Sequence, residues 1–262
     1  MFLAFVALAS LSAGLLAADG VQASAVNNQR EANSLVSSVA TIDAAAAMAG
    51  MIGAQINSTI QPGTTAASGQ DRASATAYLG SGRQSGVAAG GQSEGLGVWA
   101  RGSWSIMDNS ETGGEYDGTV SNFGVGVDYK VTDTVLLGVA LGWENMNIDT
   151  AFNRGTYEGA GFTIAPYIGV NLSDQLYVSA VAGYSDIDYD FTRTLNGSVT
   201  GATSGKRKFA SANATYTVDK DVHGVDGLRL SPLAGIFWVS EKQQVYTDSN
   251  STVVDGNTTE LP

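Results

Sequence analysis

Phe123-Gly124-Val125-Gly126-Val127-Asp128-Tyr129 alternates apolar side chains with small or polar ones, and this alternation recurs in seven runs between Leu96 and Ser240. A second clear run is Gly161-Phe162-Thr163-Ile164-Ala165-Pro166-Tyr167-Ile168-Gly169-Val170. Because successive side chains of a β-strand point to opposite faces, each run predicts a strand with one apolar face and one small or polar face. In a soluble sandwich the apolar faces would pack on a second sheet, and in a membrane protein they would meet lipid.

The composition favours the membrane alternative. Of the 262 residues, 33 are Gly and only 4 are Pro, and charged residues make up 15%, against an ordinary share of about 25%. An apolar fraction of 44% excludes global disorder. Glycine stands where a dry core would need bulky side chains, so we expect the apolar faces to point outward at lipid.

Charge and cysteine content exclude several classes of function. A formal charge of −12 and a pI of about 4.3 argue against nucleic acid as a partner, because a phosphate-binding surface needs clustered Lys and Arg. The one basic cluster, Lys206-Arg207-Lys208, is interpreted as a solvated strand end. Cysteine is absent, which removes disulfides, thiolate zinc sites and Cys nucleophiles together.

The N-terminus predicts export. Phe2 to Ala18 is an apolar run, and Ala23-Ser24-Ala25 has the form of a signal-peptidase site, although no Lys or Arg precedes the run. We therefore expect residues 1–25 to be a signal peptide. The run is shorter than the roughly 20 apolar residues that a helical membrane span needs, so we expect membrane insertion through strands.

Residues 26–94 differ in character from the rest of the chain. Asn28 to Ile60 carries apolar residues at steps of three and four, which predicts a slim helix that Pro62-Gly63 ends. This pattern fits two alternatives. One is a packed or surface amphipathic helix, and the other is a helix thin enough to pass through a pore. The remainder, rich in Gly, Ser and Ala, predicts a flexible linker with one short helical piece near Tyr78.

Beyond Tyr184 the apolar positions change parity, with Ile187, Tyr189 and Phe191 on odd positions. This indicates either a bulge or a strand that continues beyond the membrane.

The polar faces of the predicted strands supply candidate site residues. Six side chains on the small or polar faces are candidates to face the interior of a barrel: Arg101, Asn122, Asp128, Glu144, Thr163 and Asn171.

The connections between the runs alternate in length. Val131-Thr132-Asp133 and Ser173-Asp174 are short, whereas four polar connections are long: 107–118, 149–156, 192–205 and 241–256. Outer-membrane barrels have tight turns on the periplasmic side and long loops outside. The fold class predicted is therefore all-β, an antiparallel outer-membrane β-barrel of seven or eight strands preceded by a helical segment.

Four runs together resemble a known family. Gly97-Val98-Trp99-Ala100-Arg101-Gly102-Ser103-Trp104, Phe123 to Tyr129, Leu137 to Trp143 and Leu230-Ser231-Pro232-Leu233-Ala234-Gly235 are similar, in order, to strands of the autotransporter β-domain of type V secretion. The resemblance covers about residues 95–240. It implies a barrel in the outer membrane of a Gram-negative bacterium, with a helix that passes through the lumen and joins an exported passenger. It also implies three partners, namely outer-membrane lipid, the barrel-insertion machinery and periplasmic chaperones.

The chain departs from that family in length. The family barrel has twelve strands, whereas this sequence predicts seven and a weak eighth around Ser251 to Glu260, and it finishes Glu260-Leu261-Pro262 without a terminal aromatic strand. We therefore expect residues 95–262 to form a partial barrel, truncated after about seven or eight strands.

No motif for catalysis, cofactor or metal stands out, and no small-molecule substrate is inferred. The lone His223 has no partner His, and Asp186-Ile187-Asp188-Tyr189-Asp190 is explained by strand alternation better than by a calcium loop. A non-enzymatic translocator module is the first hypothesis. The alternatives are a self-standing eight-stranded barrel that acts as an adhesin-like surface protein, and a soluble periplasmic β-sandwich with a bulky core.

Overall fold

The computed structural model describes residues 25–60, 73–79, 95–195, 197–219 and 229–261. It consists of one long helix, α1 (Ala25–Ile60), and a large antiparallel sheet. In chain order the strands are β1 Ala73–Leu79, β2 Leu96–Asn109, β3 Tyr116–Thr132, β4 Val135–Thr150, β5 Gly155–Asn171, β6 Leu176–Arg193, β7 Val199–Tyr216, β8 Val218–Asp219, β9 Arg229–Leu230, β10 Leu233–Gln243, β11 Tyr246–Thr247, β12 Val253–Val254 and β13 Thr258–Leu261.

Nine of these strands form the main sheet in the order β1-β2-β3-β4-β5-β6-β7-β10-β13, so the main-sheet strands pair in the order in which they occur along the chain. The pairs β8–β9 and β11–β12 are separate two-stranded ribbons. This confirms the predicted all-β class with a preceding helix. Within the described residues, β1 and β13 pair with one neighbour each, and the sheet is not closed.

Strand β1 lies where the sequence predicts a short helical piece, near Tyr78. Ala73–Leu79 pairs antiparallel with β2, placing Tyr78 opposite Trp99. The prediction was wrong because pairing satisfies the backbone groups on the free side of β2, and this overrides the helix preference of the alanines. The signal peptide predicted at residues 1–25 lies outside the described residues, which begin at Ala25. The end of the linker and His223 also lie outside them.

One face of the sheet carries an exposed apolar belt. Its members are the large apolar and aromatic side chains on the face away from α1: Val98, Trp104, Phe123, Val127, Tyr129, Leu137, Val139, Leu141, Trp143, Phe162, Ile164, Ile168, Tyr184, Ile236 and Trp238. On β3 the outward apolar positions run from Phe123 to Val131, nine residues, within the 9–11 that a tilted membrane strand requires. We call this face the outer face and the opposite one the inner face.

The inner face holds α1. The helix places Val36, Ala40 and Ala44 near the connection 110–115, where they pack among buried side chains of β2 to β6. It ends near the turns at 133–134 and 172–175, where Ile52 and Ile56 pack on a second buried cluster. We call these the loop end and the turn end. With 36 residues, α1 is about 54 Å long, and its part from Val36 to Ile60 packs along the strands.

Small residues on both sides allow this close approach. At Gly142 an added Cβ would overlap the Met48 side chain, and at Gly169 it would overlap Ile56. Ala44, Ala45 and Ala49 present the slim surface of the helix to the sheet. Val36–Ile60 is apolar enough by composition to span a bilayer, yet 61% of its most apolar window is buried inside the fold. Its apolar surface is therefore covered by the sheet.

The strands continue past the apolar belt at the loop end, where the polarity of the two faces is reversed. On β4 the outward residues change from Leu141 and Trp143 to Asn145 and Asn147, while the inward Met146 and Ile148 are buried against the helix. The loop-end connections 110–115, 151–154 and 194–198 are consequently shorter than predicted. The same extension explains the parity change in β6, because β6 pairs with β7 in one unbroken register without a bulge.

Candidate functional site

The candidate site is the polar contact surface between α1 and the inner face. Period-two alternation aims every second side chain of each strand at the helix, and two hydrogen-bonded networks have formed there. Both networks are built from side chains that are far apart in sequence and close only in the folded sheet.

The first network is centred on Arg207 of β7, whose side chain is fully buried. Its NH1 lies 2.6 Å from Oε2 of Glu144 on β4, and its Nε lies 2.7 Å from Oε2 of Glu241 on β10. Tyr189 of β6 donates its hydroxyl to Oε1 of Glu241 at 2.6 Å. One guanidinium thus joins two carboxylates, and the hydroxyls of Thr41 and Tyr189 donate to the carboxylate of Glu241.

The helix is tied directly to this network. Thr41 donates its hydroxyl to Oε2 of Glu241 at 2.8 Å, and Gln243 donates its amide to the Ser37 hydroxyl at 2.7 Å. A further hydrogen bond of 3.0 Å joins the hydroxyls of Ser38 and Thr259. Three polar positions within little more than one turn of the helix, Ser37, Ser38 and Thr41, are therefore matched to β10 and β13.

The second network lies nearer the turn end and is centred on Gln55 of α1, which is fully buried. Its Nε2 donates to Oδ2 of Asp128 at 3.1 Å, and NH2 of Arg101 donates to its Oε1 at 3.3 Å. Asp128 also accepts from the Tyr167 hydroxyl at 3.2 Å, and that hydroxyl accepts from the Trp99 indole at 2.7 Å. The side-chain amide of Gln55 thus bridges a cation and an anion of the sheet.

The six candidate residues all lie on the inner face. Arg101 and Asp128 contact the helix through Gln55, and Glu144 belongs to the Arg207 network. Thr163 is buried and shares a hydrogen bond of 2.7 Å with Ser185 of β6. Asn122 is buried and, within the described residues, neither atom of its amide has a hydrogen-bond partner, while Asn171 is half-buried at the turn end. Whether these residues line a water-filled lumen stays a prediction.

Sequence reasoning missed the residues that dominate the site. Arg207 was assigned to a solvated strand end, which is wrong, since only its neighbours Lys206 and Lys208 are exposed. Glu241 was assigned to a loop, whereas it is the ninth residue of strand β10. The signal was the alternation itself, because Arg207 has the parity of the buried Phe209 and Gly205.

The arrangement offers groups that can hold a helix. Among the residues that the structure describes, no group of three or more His, Asp or Glu side chains could hold a metal ion. Asp186, Asp188 and Asp190 point outward while Ile187 and Tyr189 point inward, as strand alternation requires. The chemistry offered is hydrogen bonding and charge compensation along one face of α1.

Comparison with known proteins gives a family and several solved structures. The sequence profile of the family described as Autotransporter beta-domain matches residues 98–261. The fold is similar to the translocator domain of autotransporter NalP from Neisseria meningitidis, with a TM-score of 0.53 and 16% identity over 64% of this chain and 59% of that one. This chain thus spans about three fifths of the length of that domain.

A weaker likeness is to BauA, the ferric preacinetobactin receptor from Acinetobacter baumannii, with a TM-score of 0.36, 14% identity and coverage of 58% of this chain and 27% of that one. That similarity is too low to carry an argument. No curated protein sequence gives a significant match.

Proposed function

The chain belongs to the autotransporter β-domain family, and from that premise we propose that it is a translocator module that carries a preceding segment across the outer membrane. Its location is the outer membrane of a Gram-negative bacterium. The translocator domains of this family are not catalytic, and we extend that property to this chain.

The observation that supports the proposal best is the path of α1 along the inner face. Val36, Ala40 and Ala44 pack at the loop end, and Ile52 and Ile56 pack at the turn end. A segment joined ahead of Ala25 would therefore emerge at the loop end, which is the external end in outer-membrane barrels. The polar networks around Gln55 and Arg207 hold the helix in that orientation.

We further propose that the inner face lines a lumen, with Arg101, Asn122, Asp128, Glu144, Thr163 and Asn171 among its lining residues. Ser103 and Asn122 support this proposal, because buried polar groups without protein partners are normally hydrogen-bonded by water. The domain division is proposed as a signal peptide at 1–25, the helix and connecting segment at 26–94, and the barrel segment at 95–262. The barrel-insertion machinery and periplasmic chaperones are proposed as assembly partners.

The alternatives account for the sheet less well. A self-standing eight-stranded barrel requires its first and last strands to pair, and β1 and β13 do not pair within the described residues. A soluble sandwich requires the apolar belt to be covered by a second sheet, whereas Phe123 and Tyr129 are each 50% exposed. The translocator remains the function that fits both faces.

An epitope inserted directly after Ala25 tests the proposal. In intact cells we expect antibody to reach this tag, because the helix would place it outside. A matched tag in the turn at Asp133–Thr134 should become accessible only after the outer membrane is permeabilised. A third tag at Ser249–Asn250, at the loop end, reports insertion independently. An accessible tag at 249–250 together with a hidden tag after Ala25 would refute translocation without refuting insertion.

A further inference from the structure

Three lysines stand together on the outer face of the sheet. Lys206 of β7 and Lys242 of β10 are directly opposite each other, and Lys208 is the next outward residue on β7. All three are exposed, while Arg207 between them points inward. We call these three residues the lysine triplet.

The triplet lies at the border of the apolar belt. Lys208 is directly opposite the belt residue Tyr184 on one side and Ser240 on the other. Ser240 is the next outward residue after Trp238 on β10. Since a strand rises about 3.3 Å per residue, the Lys208 Cα lies about 7 Å along the strand beyond the level of Trp238. Aromatic residues mark the interface in outer-membrane barrels, so the lysines reach the headgroup layer.

The protein itself does not neutralise the triplet by direct contact. Like charges directly opposite on neighbouring strands are unfavourable, and Lys206 and Lys242 are such a pair. Asp186 is opposite Lys206, Asp188 is diagonal to it, and Glu260 is diagonal to Lys242. Even so, none of these lysines has an ion pair within 4.0 Å to a carboxylate of the described residues. An external anion between the lysines would relieve their repulsion.

We propose that the lysine triplet binds the phosphate groups of phosphorylated lipid in the outer leaflet. Three lysines at neighbouring outward positions of β7 and β10 suit a phosphate, which lysine binds as a point charge. The surface below the triplet suits acyl chains, because Ala210, Ala212 and Trp238 form a smooth apolar track toward the turn end. The site is open to the side, which fits a lipid lying against the sheet better than a free phosphate ion held in a pocket. Binding of this kind does not depend on export.

The test uses the full chain in zwitterionic detergent micelles and measures lipid binding by native mass spectrometry over a titration. The probes are bisphosphorylated lipid A, the same glycolipid with both phosphates removed, and inorganic phosphate. The test variant is K206Q/K208Q/K242Q, and K206R/K208R/K242R keeps the charge with a different side chain. K130Q removes one exposed lysine at the turn end as the matched control.

We expect the Gln triple variant to lose affinity for bisphosphorylated lipid A by roughly a hundredfold, because each lysine at an anionic surface contributes roughly fivefold. The Arg triple variant and K130Q should stay within about threefold of the natural chain. Equal binding by the Gln variant, or equal binding of the phosphate-free glycolipid, would overturn the proposal. Displacement of the lipid by inorganic phosphate at low millimolar concentration would also overturn it, since the site would then be a general anion site.

Discussion

At the scale of single residues, Arg207 is the buried cation that joins strands of the inner face to one another. It joins β4, β7 and β10 through two carboxylates, and Glu241 extends the connection to Thr41 of the helix. Removing one partner of a buried ion pair leaves an uncompensated buried charge, which costs far more than the loss of an exposed pair.

We therefore predict that Arg207→Met lowers the free energy of unfolding by about 3–5 kcal/mol, because Glu144 and Glu241 then remain buried without a cation. Lys208→Met, at the adjacent exposed position, should change it by at most about 0.5 kcal/mol. Urea unfolding in micelles, followed by tryptophan fluorescence, measures both. Adding Glu144→Gln and Glu241→Gln to the Arg207 variant should restore part of the loss. Equal effects of the two single substitutions would contradict the assignment of Arg207 to the buried network.

At the scale of secondary-structure elements, alternation predicted where strands lie better than where they end. Within the belt the apolar positions face outward, and beyond the belt the apolar Met146 and Ile148 face inward against the helix. A period of two is the same in both regions, so the pattern alone does not tell which face is covered. The sequence therefore predicts loops where strands continue, which misplaces Glu241 in a loop and Arg207 at a solvated strand end.

The helix illustrates the opposite case. Its predicted range, Asn28 to Ile60, agrees closely with the observed Ala25–Ile60, because 3.6-residue periodicity and Pro62-Gly63 are local signals. Its position on the inner face was one of two alternatives left open. The pairing of Gln55 with Asp128, 73 residues apart, depends on the register of the whole sheet and leaves no local signal in the sequence.

Disulfide trapping tests the placement of the helix on the inner face. Ser38→Cys with Thr259→Cys should form a disulfide under mild oxidation in the membrane-inserted chain, because the two hydroxyl oxygens are 3.0 Å apart. The chain has no native cysteine, so the product is unambiguous on a non-reducing gel. The matched control pairs Ser38→Cys with Glu260→Cys, whose side chain is exposed on the outer face. Equal cross-linking of both pairs would place the helix elsewhere.

At the scale of the whole molecule, the two faces of the sheet have opposite chemistry. The inner face satisfies buried polar groups against a helix, while the outer face exposes a contiguous row of aromatic rings, with Trp143 5.7 Å from Phe162 and 6.1 Å from Phe123 between ring centroids. A soluble protein seldom exposes an apolar surface of this extent. We therefore claim that the outer face contacts lipid. This contact accounts together for the location of the chain in the outer membrane, the orientation of the sheet and the path of the helix along the inner face.

Spin labels along β4 test that claim most directly. In the chain inserted into phospholipid vesicles, we would measure how accessible each label is to oxygen and to a water-soluble nickel complex. Single cysteines at Val139, Leu141 and Asn147 all lie on the outer face of one strand, the first two inside the belt and the third beyond it. We predict that labels at Val139 and Leu141 collide with oxygen and are shielded from the water-soluble nickel complex, whereas the label at Asn147 shows the reverse. Two results would contradict the account. In one, the labels at Val139 and Leu141 meet the nickel complex as readily as the label at Asn147; in the other, they are shielded from both reagents.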